Sequence, residues 1–267
     1  KPQTTRNSIR GIYTRMPSAD DEGCQMVFID TPGIHKPKNK LGDFMVETAL
    51  NTINDADIVL WLVEPQKKIK NTELEIAKKL TAYKGTVILI INKVDEIRKD
   101  DLLLSIDAYK DVLDFAEIIP LSAKTGENTD DLIGTIFNHL EEGPYYYDED
   151  DLTDESLRDI AAELIREKSL KCLSDEVPHG IAVVIEKMKK RQEKNLYDIE
   201  ATIICEKNSH KGMIIGKGGV MLKKIGTYSR KDIERLLETP VNLKLFVKVK
   251  KDWRDSEKLI KNYFKGA

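Results

Sequence analysis

Three short motifs place chemistry-bearing side chains directly after apolar runs. Asp30-Thr31-Pro32-Gly33 follows Met26 to Ile29, Asn92-Lys93-Val94-Asp95 follows Val87 to Ile91, and Ser122-Ala123-Lys124 follows Ile118 to Leu121. A carboxylate at the end of a buried strand, as Asp30 is placed, can hold Mg²⁺ through water, and a following glycine, Gly33, lets a backbone N–H approach a phosphate. The Asp95 carboxylate can accept two N–H donors from one edge of a planar base, which guanine offers and adenine does not. Lys93 can lay its methylenes along that ring. The backbone of Ser122 and Ala123 and the stem of Lys124 can close the same pocket. Taken singly, each motif is also a polar turn. Three of them in this order, each at its own strand end, point to a nucleotide site.

A second constellation lies far downstream. Ser209-His210-Lys211-Gly212-Met213-Ile214-Ile215-Gly216-Lys217-Gly218-Gly219 joins two helical stretches through a cationic glycine-rich loop. Exposed backbone N–H groups at such a loop can clamp a phosphodiester chain, and an isoleucine platform (Ile214, Ile215) can support unstacked bases. Lys211, Lys217, Lys223, Lys224 and Arg230 add the electrostatic component, with Gly212 inside the preceding helix.

The elements that must position these groups are legible in the hydrophobic pattern. Ile58 to Val63 adds a fourth short β-branched run, and such nearly continuous apolar runs suit strands buried on both faces. Helical patterns intervene at 43–54, 71–83, 100–115 and 128–140. Strand–helix alternation of this kind predicts a doubly wound α/β domain. Gly143-Pro144, Tyr145 to Tyr147 and the acidic run Asp148 to Asp151 then read as a boundary. The expected division is a first domain over 1–142, a linker over 143–153 and a second domain over 154–267. In the second domain the pattern predicts the order α-β-β-α-α-β with a tail helix over 252–264.

Charge divides along the same line. The 267 residues carry a formal net charge of −3, but from Gly180 onward 21 lysines and arginines face 11 acidic residues. A basic C-terminal third joined to an acidic remainder predicts a polyanionic partner for the basic part. No window approaches the ~18 apolar residues of a membrane span. Cys24, Cys172 and Cys205 are scattered and lack metal-type spacing, so they read as reduced thiols in a cytosolic protein. His35, His139, His179 and His210 share no ligand spacing and read as surface or loop residues. Trp61 and Trp253 read as packing residues, and Tyr145 to Tyr147 as a wedge between the domains.

Asp-Thr-Pro-Gly, Asn-Lys-Val-Asp and Ser-Ala-Lys resemble the third, fourth and fifth signature elements of a P-loop GTPase. Lys1-Pro2-Gln3-Thr4-Thr5-Arg6 resembles the switch I element of the bacterial Era-type GTPases, and Asp30 to Pro37 is similar to that family in particular. The Gly-x-x-Gly arrangement of Gly216 to Gly219, in its α-β-β-α-α-β setting, resembles a type II KH domain. The resemblance implies that Thr5 and Asp30 hold Mg²⁺, that Thr5 and the Gly33 N–H meet the γ-phosphate of GTP, and that Thr31, Pro32, Ile34 and Val94 line the nucleotide. It also implies GTP and GDP as ligands and the 3′ end of small-subunit ribosomal RNA as target. A role in small-subunit maturation, a monomer, and peripheral association with the inner face of the membrane are implied as well.

Two departures qualify the resemblance. The family opens with a strand, a G-x-x-x-x-G-K-[ST] loop and a helix, and no such loop occurs between Lys1 and Ala267, so these residues alone are expected not to hydrolyse GTP. Ile34 stands where a Ras-like enzyme has a water-orienting glutamine, which predicts slow intrinsic hydrolysis. The alternative reading is a nucleotide-independent RNA-binding protein whose α/β domain is structural.

Overall fold

The computed structural model describes residues 5–6, 8–19, 22–34, 36–173, 180–191 and 193–264. Its N-terminal part contains two sheets. Strands β1 (Ile9–Arg15) and β2 (Cys24–Asp30) form an antiparallel hairpin. Strands β3 (Ile58–Val63), β4 (Thr86–Ile91) and β5 (Glu117–Pro120) form a parallel sheet in that order. Five of the six β4 residues are buried, as its central position requires. Pro120 closes β5, an edge strand, where the missing N–H costs no ladder bond. Cys24 and Met26 of β2 share an apolar cluster with Ile88, Ile90 and Ile119, so the hairpin packs on the sheet without extending its hydrogen-bonding among the described residues. β1 is not anticipated by the apolar pattern, because only Ile12 of its seven residues is buried.

The helices are α1 (Lys40–Asp55), α2 (Asn71–Leu80), α3 (Lys99–Tyr109) and α4 (Thr129–Phe137). Asn39 caps α1 by accepting the Gly42 N–H at 2.9 Å. Leu41, Met45 and Ala49 then recur at every fourth position and are fully buried. α3 and α4 stop six and three residues short of the expected ends, at Tyr109 and Phe137.

The C-terminal part follows the expected order: α5 (Leu157–Cys172), β6 (Ala182–Arg191), β7 (Leu196–Cys205), α6 (Asn208–Ile215), α7 (Val220–Leu237) and β8 (Val241–Val249), with α8 (Glu257–Tyr263) after a 3₁₀ turn at Trp253–Asp255. β6 pairs antiparallel with β7, and β8 adds parallel to β7 as an edge. Ala161 and Ile165 of α5, Ile199, Ala201 and Ile203 of β7, and Ile225 and Ile233 of α7 form the core beneath the sheet. A separate cluster joins the two parts: Leu41 and Met45 of α1 pack with Ala182, Ile204, Trp253, Ile260 and Phe264. Buried side chains of this size stabilise by about 1.5–3 kcal/mol each.

Residues 145–154 run along the β1–β2 hairpin. The Ile12 N–H donates to the Leu152 carbonyl at 2.9 Å, Gln25 accepts the N–H groups of Tyr146 and Tyr147, and Arg10 pairs with Asp154 at 2.7 Å. Tyr145 to Tyr147 therefore do not wedge between the two parts. Their backbone is held by the hairpin, and Tyr146 is 80% exposed. Trp61 and Trp253 are buried as expected. His210 corrects the surface reading, since it is buried on α6, whereas His139 is exposed; His35 and His179 lie outside the described residues.

Candidate functional site

The second and third motifs meet at the carboxyl ends of β4 and β5, where ligands bind in open α/β sheets. Asn92 is the organiser. Its Oδ1 accepts the Lys93 N–H at 2.8 Å and the Ala123 N–H at 3.0 Å, so one side chain ties both loops together. Lys93 adopts a left-handed backbone (φ 69°, ψ 36°), uncommon for a residue with a Cβ and typical of functional turns. Its ammonium pairs with Glu64, just past β3, and this contact raises the lysine's pKa. Val94 follows in a short 3₁₀ turn and donates its N–H to the Leu121 carbonyl.

The buried Ser122 hydroxyl donates to the Asp95 Oδ1 at 2.7 Å, and Lys124 Nζ lies 3.7 Å from Oδ2. The serine contact, then the lysine charge, hold the Asp95 carboxyl below the usual range. Ser122 Oγ also accepts the Thr125 N–H, and Asn128 Nδ2 donates to the Pro120 carbonyl, so the loop after β5 is fixed by its own side chains. The arrangement is an ionised, oriented carboxylate beside two lysine stems, suited to a donor edge of a flat base.

The first motif lies at the end of β2. Thr5 Oγ1 donates to Asp30 Oδ2 at 2.8 Å, bringing together the two residues that resemblance assigns to Mg²⁺. Pro32 is buried, Thr31 and Ile34 are half-buried, and Gly33 is exposed with open space where a Cβ would stand. Lys1 to Thr4, the remainder of the switch-like segment, lie outside the described residues. The next residue, Arg6, was not singled out for a role by its sequence context. It is 2% exposed, donates to the Ile181 carbonyl, and lies 5.8 Å and 5.9 Å from the ring centroids of Trp253 and Phe264. Burial, then the nearby Arg166 charge, pull its pKa down to about 9.

The glycine-rich loop is built by backbone geometry. Gly216 (φ 72°, ψ 170°) lies in a region only glycine occupies, and a Cβ there would meet the Met221 Cβ at 2.8 Å. Gly218 is also left-handed but has open space around it. Lys217 and Gly218 are exposed at the turn. Beside them a groove of about 420 Å³ runs between α7 and β8, with Leu222, Leu243 and Leu245 as apolar lining and Lys223 and Arg230 at its sides. Lys224 points its ammonium over Tyr228 at 5.9 Å, and Lys211 is half-buried on α6 beside exposed Gly212. Ile214 corrects the platform reading: it is fully buried in the core and supports the loop from beneath, leaving Ile215 half-buried at the surface. The groove residues Leu243, Leu245 and Thr227 were not anticipated. The alternation of β8 was visible, but not which helix would face it.

Among the described residues no group of three or more His, Cys, Asp or Glu side chains is arranged to hold a metal ion, and no helix is long and apolar enough to cross a membrane. Cys24, Cys172 and Cys205 form no disulfide among the described residues.

Comparison with known proteins places these features in one context. Residues 1–93 match the family model described as a 50S ribosome-binding GTPase, and residues 176–254 match the KH domain model. GTPase Era of Clostridium kluyveri is 49% identical over 261 residues, covering 98% of this chain and 87% of the relative. A solved structure of Era in complex with MgGDPNP and nucleotides 1506–1542 of 16S ribosomal RNA aligns at a TM-score of 0.91 and 36% identity, covering 98% of this chain and 87% of that one. An Aquifex aeolicus Era variant bound to GDP and AlF4⁻ aligns at 0.90 with the same identity, covering 98% of this chain and 88% of that one.

Proposed function

The chain belongs to the Era family of GTP-hydrolysing enzymes, and on that premise we propose how its residues divide the work. Asn92, Lys93, Val94, Asp95, Ser122, Ala123 and Lys124 hold the guanine base. The observation that carries this assignment is the Asp95 carboxylate, ionised and aimed by Ser122 and Lys124. Thr31, Pro32, Gly33 and Ile34 follow Asp30 along the phosphate side. Thr5 and Asp30 offer hard oxygen donors 2.8 Å apart, the ligand type Mg²⁺ prefers, so the residues present fit that ion. Mg²⁺ bound there offsets the negative charge of the phosphate oxygens during transfer of the γ-phosphate to water. Thr5 and Gly33 act at the γ-phosphate. Ile34, apolar and half-buried, excludes water from its own position and orients none, which makes intrinsic hydrolysis slow.

The basic C-terminal part holds the 3′ end of small-subunit ribosomal RNA and serves small-subunit maturation. Gly216 to Gly219 clamp the backbone, Ile215, Leu243 and Leu245 meet the bases, and Lys211, Lys217, Lys223, Lys224 and Arg230 meet phosphates. Nucleotide state reaches this groove through Arg6. Its neighbour Thr5 touches Asp30, while Arg6 itself sits among Ile181, Trp253 and Phe264. A shift of the Thr5 segment therefore alters how α1 and the C-terminal part dock. We place the domains at 1–142 and 154–267, with 143–153 as the linker held by the hairpin. A monomeric state and peripheral contact with the inner membrane face rest on the family resemblance alone.

The test is the affinity of a fluorescent 3′-end RNA in the presence of a GTP analogue and of GDP. A difference between the two that disappears in Asp95→Ala supports the switch. Equal affinities throughout would leave an RNA-binding protein with a structural α/β domain.

A further inference from the structure

The two faces of β8 have different lives. Leu243, Leu245 and Val247 point into the core and the groove, while Lys244, Phe246 and Lys248 point to the opposite side of the sheet. On that outer side Trp253 and Phe264 share an apolar cluster with Ala182 and Ile204, but Phe246 stays 52% exposed. An aromatic ring on a sheet face gains stability by burial against cross-strand neighbours, and here the neighbour is Thr202, a small residue. Folding therefore leaves half of this ring unused.

The charge around the ring favours a polyanion. Lys248 lies opposite Ile204 and forms no ion pair among the described residues. Lys244 lies 3.7 Å from Glu200, which in turn faces Lys187 on β6. Asp198, a further acidic side chain of this face, is engaged by Arg191 and Asn242, which hold its pKa down to about 2, and Glu186 of β6 lies toward Tyr263. Basic groups thus exceed acidic ones on the face, and an aromatic ring stands between two lysines spaced at alternate residues. That is the chemistry of single-strand recognition, with a stacking surface for a base and cations for the flanking phosphates.

We propose that Lys244, Phe246 and Lys248 form a second single-stranded RNA surface, on which Phe246 stacks a base of the same chain that enters the groove. This inference rests on the reading of the groove as the RNA 3′-end site. A Gly-x-x-Gly loop clamps about four nucleotides, far fewer than the RNA segment bound in the related complex. β8 is the free edge of its sheet and lines the groove with its inner face. A strand leaving the groove across that edge arrives directly on the outer face of the same β-strand.

The experiment uses the full chain and two fluorescent single-stranded RNAs, one of about four nucleotides, enough for the groove alone, and one roughly three times longer. Phe246→Ala is expected to weaken the long RNA about tenfold and leave the short one unchanged, while Phe246→Trp retains the long-RNA affinity. Lys248→Gln is expected to reduce the slope of log affinity against log salt by about 0.7 for the long RNA only. Equal effects of Phe246→Ala on both RNAs, or none on either, would overturn the proposal. Gly218→Asp serves as the separate control, because it tests the groove itself and must weaken both RNAs. If Gly218→Asp leaves both affinities intact, the groove reading fails, whatever Phe246 does. Phe246→Leu, which keeps an apolar side chain on the strand, guards against a folding defect: it should lose long-RNA affinity while melting with the parent.

Discussion

Arg6 and Ile181, 175 positions apart in sequence, are joined by a hydrogen bond from the Arg6 guanidinium to the Ile181 carbonyl. The contact is buried, and the guanidinium also lies against Trp253 and Phe264. One residue earlier, Thr5 holds Asp30. Two consecutive residues thus touch the Mg²⁺-type carboxylate and the C-terminal part of the molecule.

Replacing Arg6 with alanine removes a hydrogen bond from a charged donor and two cation–π contacts, and leaves a cavity. Relief of a buried charge offsets part of that loss. The expected net destabilisation is about 2 kcal/mol in urea unfolding. Arg6→Met, which fills the space without the charge, should lose less. Both variants should bind RNA and nucleotide separately, yet lose the effect of one on the other. Preserved coupling in Arg6→Met would show that the segment communicates by another route.

Base selection should rest on Asp95. Asp95→Asn keeps the shape and the Ser122 contact but exchanges a carboxylate for an amide, whose NH₂ now meets the N–H donors of guanine. Guanine-nucleotide affinity should fall about 100-fold, the order expected for losing charge-assisted hydrogen bonds. Xanthine, which presents a carbonyl at the same edge, should be bound instead. Competition titration with GDP and XDP separates these outcomes, and unchanged preference for GDP would remove Asp95 from the base pocket.

Two glycines of one loop should behave differently. Gly216→Ala forces a side chain against Met221 in a backbone region reserved for glycine, so it should lower stability by about 1–3 kcal/mol. Gly218 has open space and a φ of 62°, which aspartate tolerates comparatively well. Gly218→Asp should therefore fold, and weaken RNA at least tenfold through phosphate repulsion alone. Thermal melts beside RNA titrations distinguish the two. A loss of stability in Gly218→Asp equal to that of Gly216→Ala would mean the loop is structural.

The strand-end motifs were legible because their chemistry is local. Asn92 and Ser122 each sit directly after an apolar run and Asp95 four residues past one, and the parallel strands bring them together. The glycine loop was equally plain, since its run of glycines marks a turn and Gly216 takes backbone angles reserved for glycine. What stayed hidden depended on contacts distant in sequence. Arg6 reads as an ordinary charge next to a threonine until Trp253 and Phe264, some 250 residues on, fold over it. Ile214 and Ile215 look alike in sequence, and only the helix rotation buries one and leaves the other half-buried. β1 escaped because its partner is a hairpin strand and its ladder, not its burial, holds it. The tyrosines of 145–147 have the composition of an interface wedge, but their backbone groups satisfy Gln25.

Acid should release guanine nucleotides at a pH set by Ser122. Donor N–H groups of the base bind the Asp95 carboxylate and not the acid, so affinity is full above the Asp95 pKa and lost as pH falls through it. The Ser122 hydroxyl is the largest influence holding that pKa down, ahead of Lys124. In Ser122→Ala the carboxyl moves up toward its ordinary range, and loss of affinity should begin at higher pH than in the parent protein. The ¹³C shift of the Asp95 carboxyl reads the same titration without nucleotide and is independent of any weaker binding caused by loop rearrangement. Lys124→Gln should move the midpoint in the same direction by a smaller amount. Coincident titration curves in all three proteins would mean that Ser122 positions the loop through Thr125 alone and leaves the charge state of Asp95 to solvent.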